Sequence, residues 1–229
     1  MFMGHYGPAV WDTQRGKGEV LVPLWVGFLA VQFIDVIWAI LTILGFEGGI
    51  RMIESEPHSN IPYSHSLVSA LVLAVIGGVL FKVFRPKAGA KGFWVVSALV
   101  FSHWVFDLIV HRPDLPLWPG SDIELGFGFW NWPILAFVLE IGLLLAAFLY
   151  WLRVTTGPRS SMVVLTALFV FMVTIQYVFI TVPGLQVQHG TFDPNAGLEG
   201  AALGGSALLV YGILAAVIAW VEKRRTPKL

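Results

Sequence analysis

Residues 64–84 read SHSLVSALVLAVIGGVLFKVF, and their only Asp, Glu, Lys or Arg is Lys82. An α-helix rises about 1.5 Å per residue, so a run of this length crosses the roughly 30 Å hydrocarbon core of a bilayer. A helix on the surface of a soluble protein needs a polar face toward water, and this run has too few polar residues to form one. The stretch therefore predicts a transmembrane helix.

Comparable apolar runs occur on both sides of this one. The whole chain of 229 residues is 57% hydrophobic and only 12% charged, whereas a soluble domain has roughly 25% charged residues. The sequence predicts an all-α integral membrane protein, a bundle of about six transmembrane helices. The predicted spans are 20–46, 64–84, 92–111, 129–153, 160–182 and 200–222.

Basic residues mark one side of this bundle. The links 85–91 and 153–159 and the tail after the last span carry Lys and Arg, and the positive-inside rule places such segments in the cytoplasm. Alternation of the spans then puts both termini in the cytoplasm, including the N-terminal segment with Arg15 and Lys17. That segment lacks the charged head and short apolar core of a cleavable signal peptide, so we expect the first helix to be retained.

Charge and cysteine content exclude several functions. The 14 basic and 14 acidic residues give no net charge, so no long-range field favours nucleic acid. The chain has no cysteine, which excludes disulfides, thiolate metal sites, iron–sulfur clusters and a cysteine nucleophile. Any metal must therefore be held by His, Asp or Glu.

The third predicted span carries the densest group of ionisable residues, in the segment His103-Trp-Val-Phe-Asp107-Leu-Ile-Val-His111. Residues four apart lie near one stripe of an α-helix, about 5–6 Å from one another. Imidazole and carboxylate at this spacing are ligands that zinc accepts, with manganese and iron as alternatives. The competing interpretation is an Asp–His pair that only ties helices together.

Two further residues are expected to join this stripe. His65 begins the second span and, with His111, is predicted at the non-cytoplasmic face, while Asp35 and His103 lie deeper. The predicted metal ligands are His65, His103, Asp107 and His111, around a pocket open to that face. Asp35 is a further ligand or a carboxylate just behind the ligands, or else a buried partner of a neighbouring His or Tyr.

The chain divides by polarity into two halves. Residues 1–128 hold the metal-site residues, and residues 129–229 are expected to be scaffold, with small residues from Gly200 to Ser206 suited to close helix contact. Glu140 is the main acid within the spans of the second half, and we expect it to be paired structurally.

Three segments together resemble a known family. They are Met3-Gly4-His5-Tyr6-Gly7-Pro8, Pro62-Tyr63-Ser64-His65-Ser66 and the block from Ser102 to Leu117. In these segments the chain resembles bacterial inner-membrane proteins identified as membrane-bound metal-dependent hydrolases. More distantly, His103-x-x-x-Asp107 is similar to the His-x-x-x-Asp element of zinc-dependent phospholipase C, although the spacing to His111 is shorter here.

The resemblance raises a conflict at His5. Counting positive charges places this residue in the cytoplasm, opposite His65 and His111. Either residues 3–12 re-enter the membrane or His5 is not a ligand, and His5 is left out of the predicted set.

Three functions remain open. In the first, a divalent metal activates water for hydrolysis of a lipid-like or phosphoester substrate at the non-cytoplasmic membrane face. The expected metal is zinc, with manganese or iron as alternatives, and Asp35 or Asp114 orients or deprotonates the water. The second is a non-catalytic or ion-handling subunit of a larger membrane complex whose partners are unknown. The third is a haem-binding electron-transfer subunit that uses His65 with His103 or His111, which the carboxylate of Asp107 disfavours.

Overall fold

The computed structural model describes residues 1–12, 20–53 and 56–228. It is mostly helical, and the predicted all-α membrane fold is confirmed. The α-helices of the described residues are α1 (Tyr6–Asp12), α2 (Leu24–Val31), α3 (Phe33–Ile43), α4 (Leu67–Phe84), α5 (Gly89–Val110), α6 (Pro133–Val154), α7 (Arg159–Gln176), α8 (Val182–Gln188) and α9 (Gly200–Glu222).

Short strands among the described residues form three antiparallel pairs. They are β1 (Ile50–Ile53) with β2 (Glu56–Ser59), β3 (Leu115–Pro116) with β4 (Glu124–Leu125), and β5 (Thr155–Thr156) with β6 (Thr226–Pro227).

Five helical segments of the described chain are long and apolar enough to cross a membrane, and a bent pair makes a sixth. Their bounds are Leu67–Phe84, Pro86–Val110, Pro133–Val154, Arg159–Gln188 and Gly200–Glu222. The segment Arg159–Gln188, which is the fifth span when the bent pair is counted first, is longer than predicted because the π-helical turn Tyr177–Thr181 joins α7 to α8 without a break.

The first span is broken rather than continuous. Helices α2 and α3 meet at Gln32 with a bend of 52°, and Gln32 has φ −106° and ψ 9°. At the break the carbonyl of Val31 accepts a hydrogen bond from Nδ1 of His103, with a distance of 2.7 Å. Non-helical backbone at membrane depth persists where protein groups satisfy it, and here α5 supplies such a group.

Small residues let the helices approach closely at two contacts. A Cβ at Gly78 of α4 would overlap Ser97 and Phe93 of α5, and a Cβ at Gly204 of α9 would overlap the carbonyl of Ala39 in α3. Glycine at these positions permits backbone contact in a medium where apolar burial drives little helix association.

The tail returns to the end of the bundle where the first span begins. Leu24 N donates to Glu222 Oε1 at 2.7 Å, and Arg225 Nε donates to Thr155 Oγ1 at 3.0 Å. The start of span one, the link 153–159 and the C-terminal tail therefore share one end, as the positive-inside count requires.

The N-terminal residues depart from the predicted cytoplasmic position. Residues 1–12 form a 3₁₀ turn, Met3–His5, and α1, and they pack inside the bundle against α2, α5 and α6. Met3 and His5 are completely buried. Arg15 and Lys17, on which the prediction depended, lie outside the described residues. The first residues are apolar enough to be buried, and their backbone N–H groups find acceptors on α6 and α7.

Candidate metal centre

Helix α5 presents His103 and Asp107 on its buried face, and His111 follows directly after its last residue. The four-residue spacing brings the three side chains to one face of the helix, as expected. His103 Nε2 lies 3.0 Å from Asp107 Oδ2, and His111 Nε2 lies 3.7 Å from Asp107 Oδ1.

His65 and Asp35 reach the same point from the two preceding spans. His65 lies in the turn before α4, where its carbonyl accepts a hydrogen bond from Trp104 Nε1 at 2.9 Å. Its Nε2 is 3.3 Å from Asp35 Oδ1 and 3.6 Å from Asp107 Oδ2. Asp35 Oδ1 is also 3.5 Å from His103 Nε2. Asp35 therefore lies among the donor atoms rather than behind them.

His5, which the sequence analysis left out, completes the cluster. Its ring stacks on that of His103, and its Nε2 is 3.1 Å from Asp107 Oδ1. The amino group of Met1 bonds the same oxygen. Of the two alternatives for His5, the structure supports the one in which residues 3–12 enter the bundle. The sequence did contain evidence for His5, because Met3–Pro8 is one of the three segments that resemble the family. The count of positive charges argued against it.

Six side chains of the described residues thus lie close together in the interior of the bundle. Imidazole Nε2 atoms from four histidines lie 3.0–3.7 Å from the carboxylate oxygens of Asp107. Two triplets have donor atoms within 4.8 Å of one another, His5–His103–Asp107 and Asp35–His65–His103.

Three of the described histidine rings, those of His65, His103 and His111, are oriented by contacts at Nδ1. Nδ1 of His103 donates to the Val31 carbonyl at 2.7 Å, so in the neutral ring the lone pair of Nε2 faces the carboxylate of Asp107. Nδ1 of His65 is 2.7 Å from Ser64 Oγ. Within the part of the chain that the structure describes, His103 Nε2 and Asp107 Oδ2 have no hydrogen-bond partner. Such orientation of the far nitrogen is typical of histidines that ligate a metal.

Asp114, the second residue predicted to orient or deprotonate the water, contacts the outer side of His111. One of its oxygens lies 2.8 Å from His111 Nδ1, and the other accepts a hydrogen bond from Ser59 N at 2.8 Å. Burial raises the pKa of the Asp114 carboxyl. The interactions with His111 and Ser59 lower the pKa by more than burial raises it, so the net pKa is below its usual value. Asp114 positions His111 from behind and does not reach the central donor atoms.

The second half of the chain holds the cluster in place. Glu140 Oε2 accepts hydrogen bonds from Phe2 N at 2.7 Å and Gly4 N at 3.2 Å, which confirms that Glu140 is structurally paired. Gln176 Oε1 accepts from Met3 N at 2.9 Å. Tyr211 donates to Asp35 Oδ2 at 2.9 Å. The helices of the second half therefore hold the N-terminal backbone and Asp35 by hydrogen bonds, while the six donor side chains come from residues 5–111.

A cavity of about 160 Å³ adjoins the cluster at the end of the bundle that carries the hairpin β1–β2. Asp114 and Trp130 line it, together with Ser59 and apolar residues of the fifth span. The Trp130 ring lies 4.4 Å from the His111 ring, so the cavity wall contacts the cluster at His111 through Trp130 and Asp114.

The comparison with protein families agrees with this architecture. A model described as "YdjM inner membrane protein" matches residues 55–183, more than half of the chain. The chain belongs to the YdjM inner membrane protein family. The matched region includes His65 and the segment from His103 to Asp114, and it excludes His5 and Asp35. No curated protein and no solved structure matches the chain.

Family membership and the apolar helices together confirm the predicted location. The protein is a multi-pass protein of the bacterial inner membrane. The resemblance to an inner-membrane family is confirmed in the same way.

Proposed function

We propose that the protein is a membrane-embedded, metal-dependent hydrolase acting on a lipid-like or phosphoester substrate at the non-cytoplasmic face. The observation that supports this proposal is the convergence of four imidazole nitrogens on the Asp107 carboxylate, inside an apolar bundle. A buried carboxylate costs several kcal/mol unless a cation or hydrogen bonds compensate it. The Met1 amino group bonds one oxygen of Asp107, and a divalent ion would compensate the other oxygen and the carboxylate of Asp35.

The donor set fits zinc best, with manganese or iron as alternatives. Four imidazoles and two carboxylates match the nitrogen and oxygen ligands of these metals, and the chain has no thiolate to offer. Bound there, the ion would supply an activated water and polarise a phosphoryl or acyl oxygen.

Asp35 is the residue best placed to orient that water. Tyr211 holds its Oδ2, and its Oδ1 faces the centre beside His65 and His103. With one oxygen anchored and the other directed inward, the carboxylate would ligate the ion and orient the water bound to it.

The substrate proposal depends on the surroundings of the cluster. The adjoining cavity lies at the end of the bundle opposite the basic links 85–91 and 153–159, which the positive-inside rule assigns to the non-cytoplasmic side. A second, apolar groove of about 340 Å³ runs along α5 from Phe106 to Val95, beside Gly7 and Pro8. This groove lies deeper in the bilayer than Asp107. It would hold the hydrocarbon part of a lipid whose head group is bound at the centre.

A haem is a poorer fit. The rings of His5 and His103 are in face-to-face contact, and the Nε2 atoms point at a carboxylate rather than at each other across a porphyrin-sized space.

Elemental analysis of the detergent-purified protein after extensive dialysis tests the proposal. We expect stoichiometric zinc, manganese or iron, lost in His103→Ala and retained in His189→Ala, which changes an exposed histidine. The purified protein should also hydrolyse a phospholipid or phosphoester in a metal-dependent way. Absence of a tightly bound metal would favour the ion-handling subunit instead, and a haem absorbance spectrum would favour electron transfer.

A further inference from the structure

The apolar groove along α5 has the size and surface of a site for hydrocarbon. It is lined by α5 from Val95 to Phe106, by Leu143 of α6 and by Gly7–Pro8 of α1. Its volume of about 340 Å³ is within the roughly 300–1,000 Å³ of small-molecule sites. The hydroxyl among its lining residues belongs to Ser102, whose Oγ donates to the carbonyl of Leu99 at 2.7 Å. The lining therefore favours an apolar occupant.

The groove opens sideways toward the bilayer. Ala98, one of its lining residues, is exposed although it lies at the middle of the span Pro86–Val110. Trp94, one turn away on the same helix, is 68% exposed. A surface exposed at this depth of a membrane contacts acyl chains rather than water. The hydrocarbon that can enter the groove is therefore the acyl chain of a lipid.

The length of the groove matches one leaflet. The path from Val95 to Phe106 covers about 16 Å of helix axis at about 1.5 Å per residue. Half of the roughly 30 Å hydrocarbon core is about 15 Å. Asp107 directly follows Phe106 and lies one turn before the end of α5 at Val110. A lipid with its phosphoester beside Asp107 would thus have an acyl chain of suitable length for the groove.

The groove adjoins the donor cluster on the side away from the cavity at Trp130. The ring of Phe106, at the end of the groove, lies 6.3 Å from the ring of His5. Gly7–Pro8 follows His5 closely in the chain, and Ser102 directly precedes His103. The cluster and the groove therefore share the same short segments of α1 and α5.

We propose that the substrate is a membrane phospholipid that enters sideways from the non-cytoplasmic leaflet, with an acyl chain in this groove and its phosphoester at the cluster. This inference rests on the proposed hydrolase function and narrows its substrate from phosphoesters in general to lipids of the bilayer. In the reaction a water oxygen forms a bond to phosphorus. The bond from phosphorus to one alcohol oxygen breaks, and that alcohol leaves with one proton of the water.

Photo-crosslinking tests the occupant without relying on activity. The purified protein in detergent is mixed with phosphatidylglycerol that carries a diazirine in one acyl chain, and the labelled peptides are identified by mass spectrometry. We expect saturable labelling of α5 between Val95 and Phe106 that unlabelled phosphatidylglycerol displaces. Ala98→Phe should abolish this labelling, because the added ring fills the groove. Ala216→Phe makes the same change at an exposed alanine of α9, and it should be labelled as wild type is.

Substrate selectivity gives a second measurement. We compare kcat/KM for phosphatidylglycerol with kcat/KM for bis(p-nitrophenyl) phosphate, a water-soluble phosphodiester without an acyl chain. The ratio of the two should fall about 10-fold or more in Ala98→Phe, a usual effect of overpacking, and should stay at the wild-type value in Ala216→Phe. Both variants should retain the wild-type metal content. Ala98→Leu is the smaller block, should Ala98→Phe fail to elute as a monodisperse protein.

The outcomes separate the groove from the proposed hydrolase function. A metal-loaded protein that hydrolyses the soluble ester, with an unchanged ratio in the blocked variant and no saturable labelling of α5, would overturn lateral entry of a lipid and leave the hydrolase standing. A protein that binds no metal and hydrolyses neither ester would overturn both.

Discussion

The imidazole ring of His5 stacks on that of His103 with 3.7 Å between ring centroids and 9° between ring planes. The contact joins the first turn of the chain to the middle of the third span. It places the Nε2 of His5 beside Asp107, in a cluster that otherwise comes from membrane-spanning helices and the residues next to them. The N-terminal segment is therefore part of the site, and its anchors are as relevant to the cluster as the ligands themselves.

Glu140 is one such anchor, since it accepts two backbone N–H groups of this segment. Glu140→Gln keeps one carbonyl oxygen as an acceptor and should leave the metal content unchanged. The weaker hydrogen bonds should lower the free energy of unfolding by about 1–2 kcal/mol, measured by thermal or denaturant unfolding in detergent. Loss of the metal in this variant would place Glu140 among the ligands and contradict its structural role.

The absence of cysteine makes the topology directly testable. We expect Lys87→Cys and Gln188→Cys, both at exposed positions, to react with a membrane-impermeant maleimide from opposite sides of the membrane. Lys87 should be labelled only in inverted vesicles and Gln188 in intact spheroplasts, because an odd number of spans separates them. Labelling of both from one side would show that the span count is wrong.

The contact between α3 and α9 depends on Gly204, whereas Gly212 of the same helix has open space around it. Gly204→Leu should overlap the Ala39 carbonyl and destabilise the protein by about 1–3 kcal/mol, the usual cost of overpacking. Gly212→Leu adds the same side chain to the same helix and should cost little. The two variants are compared by thermal unfolding in one detergent, and equal midpoints would contradict the close α3–α9 contact.

Tyr211 supports Asp35 from the last span, and its removal should loosen the centre without unfolding the bundle. Tyr211→Phe deletes only the hydroxyl that bonds Asp35 Oδ2. Groups that orient a ligand typically contribute 10- to 100-fold to metal affinity, so we expect a Zn²⁺ dissociation constant raised about 10-fold or more. Tyr150→Phe changes an exposed tyrosine and should bind as wild type does. An unchanged affinity in Tyr211→Phe would show that this hydrogen bond does not support metal binding.

Span length and Lys/Arg placement were sufficient to predict the helical bundle, because both follow from the thickness and asymmetry of a membrane. The break at Gln32 could not be predicted, since residues 24–43 form one apolar run with no proline inside it. Its partner is a histidine on another helix, His103, which bonds the freed carbonyl of Val31. Such a contact depends on tertiary structure and leaves no local pattern.

The candidate site was predictable where helical periodicity applies. The four-residue spacing identified His103, Asp107 and His111, and membrane depth added His65 and Asp35. His5 was missed because the positive-inside rule assigned the whole N-terminal segment to one side of the membrane. The groups that hold its backbone inside the bundle, Glu140 and Gln176, are more than a hundred residues away in sequence. The contact of Asp114 with the outer nitrogen of His111 could not be predicted, because sequence does not show which side of an imidazole a carboxylate occupies.

Asp114 should act on the metal only through His111. Its carboxylate lies 2.8 Å from His111 Nδ1 and is also held by Ser59 N, so it fixes the ring whose Nε2 faces Asp107. Asp114→Ala should weaken Zn²⁺ binding by about 10- to 100-fold, the usual effect of losing a group that orients a histidine ligand.

Asp114→Asn separates positioning from proton transfer. The amide oxygen still accepts a hydrogen bond from Nδ1, so metal affinity should recover most of the way to wild type. Asp122→Ala, at an exposed acid on the same loop, is the control for a change of surface charge. Both affinities are measured by competition with a fluorescent zinc chelator. If Asp114→Asn binds Zn²⁺ normally but abolishes hydrolysis of the phosphoester, Asp114 is a catalytic residue after all, and the positioning role assigned to it here is wrong.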